Sequence, residues 1–157
     1  LGTEFAGLSE ELESYYSNFF ENRSEIVSMN TRYKSKFEDL ENRAKSLDKE
    51  LKTLNSEIKK ETADYSAKIK SLNSAISLFN SRAQSGYYYS QSSFNADRAQ
   101  LVAWGNLMEQ YREQINSKVA NYNSKVTELQ HISGQIQRLY DSLNSKLKQV
   151  DSANKPL

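Results

Sequence analysis

The chain has 157 residues, the size of one ordinary domain, and at 37% hydrophobic and 26% charged it is too polar for a thick globular core but suits helices that each bury one narrow stripe. A net charge of +1 gives no global pull toward nucleic acid or an anionic membrane surface. Cys is absent, which excludes disulfides, thiolate metal sites and a cysteine nucleophile, and the longest run without a polar residue, Leu101 to Trp104, is far too short for a bilayer.

At the amino end, Leu1-Gly2-Thr3-Glu4-Phe5 resembles the translation of restriction sites. Residues 1–5 are therefore expected to be a cloning scar, and 6–157 a single coiled-coil hairpin domain excised from a longer protein. From Leu8 the apolar positions run Leu12, Tyr15, Phe19, then polar Asn22, then Ile26, Met29 and Tyr33, in the steps of four and three of a heptad. Tyr16 and Phe20 widen this stripe beyond a two-stranded seam. It continues through Phe37, Leu40, Ala44, Leu47, Leu51, Leu54 and Ile58, with stutters expected at Phe37 and at Thr62, and then through Tyr65, Ile69, Leu72, Ile76, Phe79 and Ala83. No Pro or Gly interrupts 8–85, so this first arm is expected to be one helix, on the order of 115 Å long.

Helix-breaking signals coincide at Ser85-Gly86-Tyr87-Tyr88-Tyr89-Ser90-Gln91-Ser92. Gly86 suits the residue just past a helix end, where positive φ is needed. Ser90, Ser92 and Ser93 are each candidate caps for the next helix, and Asp97 is expected to complement the dipole of its first turn. The second arm, 93–153, repeats the pattern through Phe94, Leu101, Trp104, Met108, Tyr111, Ile115, Val119, Tyr122, Val126, Leu129, Ile132, Ile136, Leu139 or Tyr140, Leu143, Leu147 and Val150. Gly105 and Gly134 each weaken this helix by about 1 kcal/mol relative to Ala and mark either a bend or a close approach.

The pattern predicts an all-α fold: a long antiparallel coiled-coil hairpin with arms 8–85 and 93–153 and a tip at 86–92. The arms are unequal. Pairing Ala83 with Phe94 brings Val150 to about the level of Ile26, so the first ~20 residues have no partner within the hairpin. That overhang holds Leu12, Tyr15, Tyr16, Phe19 and Phe20, and such an aromatic surface calls for a cover. No turn signal supports a third helix folding back, so a homodimer in a four-helix arrangement is expected, with these five residues at its interface.

One pattern recurs in both arms: apolar, Asn, Ser, any, apolar. It occurs at 54–58, 72–76 and 79–83, and again at 115–119, 122–126 and 143–147. Asn and Ser are mediocre helix formers, so Asn beside the seam is expected to hydrogen-bond across helices and set register; the alternative is plain compositional bias. The repeat resembles the Tyr-Asn-x-x-Val-type coiled-coil regions of bacterial exported proteins that carry a matrixin-like zinc protease domain. The run Gly86 … Gln91-x-x-Phe94-Asn95-x-x-Arg98-x-x-Leu101 is similar to the turn of such regions. The likeness covers residues 54–147, and the protease's His-Glu-x-x-His motif is absent. It implies a spacer or inhibitory segment of an exported or periplasmic protein, not an enzyme.

The chemistry of an active site is missing from the pattern. His131 is the only histidine, and it stands beside the Leu129/Ile132 stripe rather than in it. Glu128-x-x-His131 matches half of a di-iron bundle motif, which needs a second His and further inward carboxylates. No catalytic residues, cofactor or metal are therefore expected. The mixed charges of Lys45 to Lys60 suit a solvated face and not a nucleic-acid stripe. Tyr87, Tyr88 and Tyr89 are the leading partner-binding candidates, with Trp104 extending their surface; the alternative is that they fold back and cap the end of the coiled coil. The expected function is a non-catalytic spacer or protein–protein interaction module of a larger bacterial protein. A periplasmic adaptor-type hairpin whose tip docks on a channel comes next, and then a BAR-like membrane-surface scaffold.

Overall fold

The computed structural model describes the backbone of residues 2–153 and the side chains of 10–149 other than 11, 12, 16, 19 and 22. The chain is all-α, with two helices, α1 (Gly2–Gln84) and α2 (Gln91–Ala153), and no strand among the described residues. Neither helix breaks internally, because no Pro lies within them and each interior Gly is a single-site cost of about 1 kcal/mol that packing along a stripe offsets. A Cβ placed at Gly105 or Gly134 would meet nothing within 4 Å, so neither glycine marks a close approach.

Contacts group the residues into two compact units, Leu1–Leu47 with Glu128–Leu157, and Asp48–Thr127. In the first unit, Met29 and Tyr33 are buried and pack with Phe37, Leu139 and Leu143. The Tyr33 hydroxyl and Ser142 Oγ hydrogen-bond at 2.9 Å, and the rings of Phe37 and Tyr140 lie 5.0 Å apart. Leu47 is fully enclosed and Ile132 nearly so. Burying a side chain of this size stabilises by roughly 2 kcal/mol, so a few such positions hold the helices together. Arg43 Nη2 reaches Glu128 Oε1 at 2.8 Å on the rim.

In the second unit, Leu51, Leu72 and Ile115 form the buried stripe. Glu50 meets Lys125, Glu57 and Glu61 meet Lys118, Tyr65 stacks on Tyr111, and Phe79 packs on Phe94. As residue numbers rise on α1 they fall on α2. The same holds in the first unit, from Tyr33–Ser142 to Arg43–Glu128.

The stripe departs from the expected one at particular positions. The expected stutter to Thr62 is not followed: Thr62 is exposed, and the half-buried position is Glu61. Likewise Lys118 and Lys125 are half-buried while Val119 is 37% exposed. Apolarity alone favours Val119 and Thr62, but Lys118 pairs with both Glu57 and Glu61 at the seam edge, leaving Glu61 Oε2 buried without a hydrogen-bond partner, and the lysine stems cover apolar surface. Near the turn, Ala75 and Arg82 are half-buried and Ile76 and Ala83 are exposed.

Apart from Glu61, these shifts follow one pattern. In all six copies of the Asn-Ser repeat, Asn and Ser are exposed. The residue after them is half-buried in every copy, Glu57, Ala75 and Arg82 on α1 and Lys118, Lys125 and Lys146 on α2, and the fifth position is half-buried too at Ile58 and Val126. The expected cross-helix bonding by Asn is thus corrected. The fourth position of the repeat faces the other helix, and on α2 it is always Lys.

Candidate functional site

The interhelical turn lies wholly within the unit Asp48–Thr127. α1 ends because Gly86 takes φ +75, a left-handed conformation that costs other L-residues about 1 kcal/mol or more. The Ser85 amide donates to the Ser81 carbonyl at 3.0 Å, and the Tyr87 amide reaches back to the Arg82 carbonyl at 3.2 Å. The second bond is the six-residue link of a Schellman close. Of the three serines, Ser90 is the cap of α2: its Oγ accepts the Ser93 amide at 3.1 Å.

Between these two ends the three tyrosines take three different positions. Tyr88 folds inward. Its ring lies 5.7 Å from Phe79 and 5.4 Å, edge-on, from Phe94, and its hydroxyl donates to Asp97 Oδ2 at 2.8 Å. Desolvation, and then the Asp97 carboxylate, raise its pKa above that of an ordinary tyrosine. Tyr87 is half exposed, packs edge-on against Tyr88, and carries the Arg82 guanidinium 4.5 Å above its ring. Tyr89 is 101% exposed. Capping and exposure are both present, divided among neighbouring residues.

Below Tyr88 a groove of ≈ 250 Å³ is bordered by Leu78, Arg82, Tyr88, Asp97, Leu101 and Trp104. Trp104 is half-buried, so the groove brings it together with Tyr88. Sequence reasoning missed Arg82 and misassigned Asp97, which lies beyond the first turn of α2, with no acidic residue in that turn. Their signal was spacing: Arg82 is the fourth residue of a repeat, and Asp97 stands seven residues before Trp104.

Farther along α2, Tyr111 donates to Asp64 Oδ2 at 3.1 Å, and Asp64 also pairs with Lys68. The Lys68 bond, then the Tyr111 bond, lower the Asp64 pKa. The Glu61 bond holds Lys118 above its ordinary value.

His131 is exposed. Among the described residues, no group of three or more His, Asp or Glu side chains is arranged to hold a metal ion, and no helix is long and apolar enough to cross a membrane. Of the five residues expected at a dimer interface, the side chains of Leu12, Tyr16 and Phe19 lie outside the described residues, Tyr15 is half-buried, and Phe20 is 61% exposed. No protein-family model matches the chain, and neither a curated protein nor a solved structure shows significant similarity to it.

Proposed function

We propose that this chain is a non-catalytic spacer and protein–protein interaction module. In this reading it is an antiparallel coiled-coil hairpin that dimerises into a four-helix arrangement, belongs to a larger bacterial exported protein, and offers its tyrosine turn to a protein partner. The observation that carries it is the placement of Tyr89. A large amphipathic ring stands fully in solvent on a turn that two helix ends and the Tyr88 cluster hold in place. A tyrosine on a held backbone has only its own two side-chain torsions left to order on binding, which suits a contact anchor.

The opposite numbering of contact pairs in each unit supports the antiparallel arrangement. The charge pairs support a spacer, since Glu50–Lys125 and Glu57–Lys118 are seven residues apart and favour one register. A docking hairpin of the adaptor type draws on the same turn and stands as the second reading. Membrane scaffolding draws less support, because Lys118 and Lys125 are engaged by glutamates rather than free for lipid headgroups.

The test places a photo-crosslinking phenylalanine analogue at position 89 of the protein in its native host, with position 102 on the exposed back of α2 as control. A discrete adduct from 89 and none from 102 is expected. Tyr89→Ala should leave Tm within about 1 °C, since an exposed substitution changes stability little. Absence of an adduct, or a large Tm loss in Tyr89→Ala, counts against the reading.

A further inference from the structure

In the unit Leu1–Leu47 with Glu128–Leu157, the buried stripe is not the whole apolar surface. Val27 is 58% exposed, Tyr140 54% and Leu147 36%. All three fall on one flank. A groove there is bordered by Asn30, Lys34 and Phe37 of α1 and by Ile136, Tyr140 and Leu143 of α2. Val27 precedes Asn30 and Lys34 by one and two helical turns, and Leu147 follows Tyr140 by two, so both continue the rims of that groove. Phe20, 61% exposed, lies two turns before Val27 on the same lane. α2 therefore carries apolar side chains beside the stripe that faces its neighbour, at Ile136, Tyr140 and Leu147, while α1 carries Phe20 and Val27 on a lane that turns charged at Lys34.

Two features say what covers it. The first is level. Tyr33 stands opposite Ser142, which places Val27 level with Leu147 and Lys34 level with Tyr140. The second is charge. The α2 lane on this flank is Ser133, Ile136, Gln137, Tyr140, Asn144 and Leu147, without an ionic residue, whereas the α1 lane carries Lys34, Glu38 and Glu41. Lys34 and Glu38 have no ion-pair partner among the described residues, and Glu41 pairs only with Lys45 on its own helix. A two-fold image that sets each charged lane over an uncharged one keeps Lys34, Glu38 and Glu41 of the two copies from facing their like. An axis running along the helices lays α1 of one copy over α2 of the other and keeps every level, in an isologous contact.

Resting on the dimeric reading given above, we propose that this flank is where a second copy of the chain docks about such an axis. Val27 of each copy meets Leu147 of the other, and the Lys34 ammonium of each lies over the Tyr140 ring of the other. Glu38 and Glu41 then lie along the Gln137 and Ser133 level, where Gln137 Nε2 donates to the Asp141 carboxylate at 3.2 Å, and away from Glu38 and Glu41 of the other copy. Each helix gains a neighbour of opposite direction on two sides, as in a four-helix bundle. The same axis brings the α1 segments that run past the level of Ala153 to one common end, where the lanes containing Phe20 approach each other.

The absence of native Cys makes the test clean. Val27→Cys and Leu147→Cys chains are prepared separately, checked for helicity by circular dichroism, and oxidised alone and as an equimolar mixture. The mixture should give a disulfide-linked dimer joining position 27 to position 147, at least fivefold more than either variant alone. Val27→Glu with Leu147→Glu should raise the dimer Kd more than tenfold in sedimentation equilibrium at unchanged helicity. A wild-type chain that sediments as a monomer at 100 µM overturns both this interface and the dimeric reading. A wild-type dimer whose mixture does not cross-link, or whose Val27→Cys chain cross-links to itself more than in the mixture, overturns this interface and leaves the dimer standing.

Discussion

Tyr88, Tyr111 and Lys118 show how single side chains link the second unit to pH. Burial raises both tyrosine pKa values, with Asp97 and Asp64 acting in the same direction, and Glu61 raises that of Lys118. A group whose folded pKa is raised holds its proton more tightly folded than unfolded. Its contribution is complete below the unfolded value, about 10 for Tyr and 10.4 for Lys, and is lost as pH rises through the higher folded value. The helical signal of the unit Asp48–Thr127 should therefore melt at falling temperature above about pH 10. Asp64 acts at the other end: its lowered pKa gives stability that is present above the unfolded carboxylate value and lost as pH falls through the folded one. Tyr88→Phe should make the alkaline limb shallower while leaving the acid limb, which Asp64 sets, in place, measured as Tm against pH. An unchanged alkaline limb would assign it elsewhere. Tyr33 runs the other way, because the Ser142 hydrogen bond lowers its pKa.

For the helices, the ends carry the sharpest expectations. Gly86→Ala keeps every contact, since nothing lies within 4 Å of the added carbon, but forces an L-residue into φ +75. The cost should be about 1 kcal/mol, read as a lower urea midpoint at constant m-value. A shift in m-value as well would mean that the turn itself rearranges. The Asn-Ser repeat teaches a different lesson. Its apolar first position was legible as a stripe residue, as at Leu72 and Ile115, both buried. Its inward fourth position was not legible, because Glu57, Lys118 and Lys125 look like surface residues until the opposite helix supplies the counter-charge.

At the scale of the molecule, the two units each have their own buried residues and their own ion pairs. In the first, Met29 is 2% exposed and packs with Tyr33. Met29→Ala should cost about 3 kcal/mol there, the usual price of a buried large-to-small change. Amide hydrogen exchange should show protection falling across 29–47 and 128–149 while amides around Leu72 and Ile115 keep theirs. An equal loss in both would mean that the units unfold as one.

Heptad spacing from Leu8 onward, the coincident breakers at Gly86 and the lack of Pro were enough to give two helices with a turn at the right place. Those are local properties: propensity and period act within a few residues and need no partner. Deciding between Ile76 and Ala75, Val119 and Lys118, or Tyr140 and Leu139 required the second helix. Adjacent positions differ by only ~100° around a helix, and the facing side chain decides which one turns in. The tyrosines follow the same rule. Their number and location are written in the chain, but Tyr88 lies inward and Tyr89 outward because Phe79, Phe94 and Asp97, from two helices, converge on one ring and leave no room for the next.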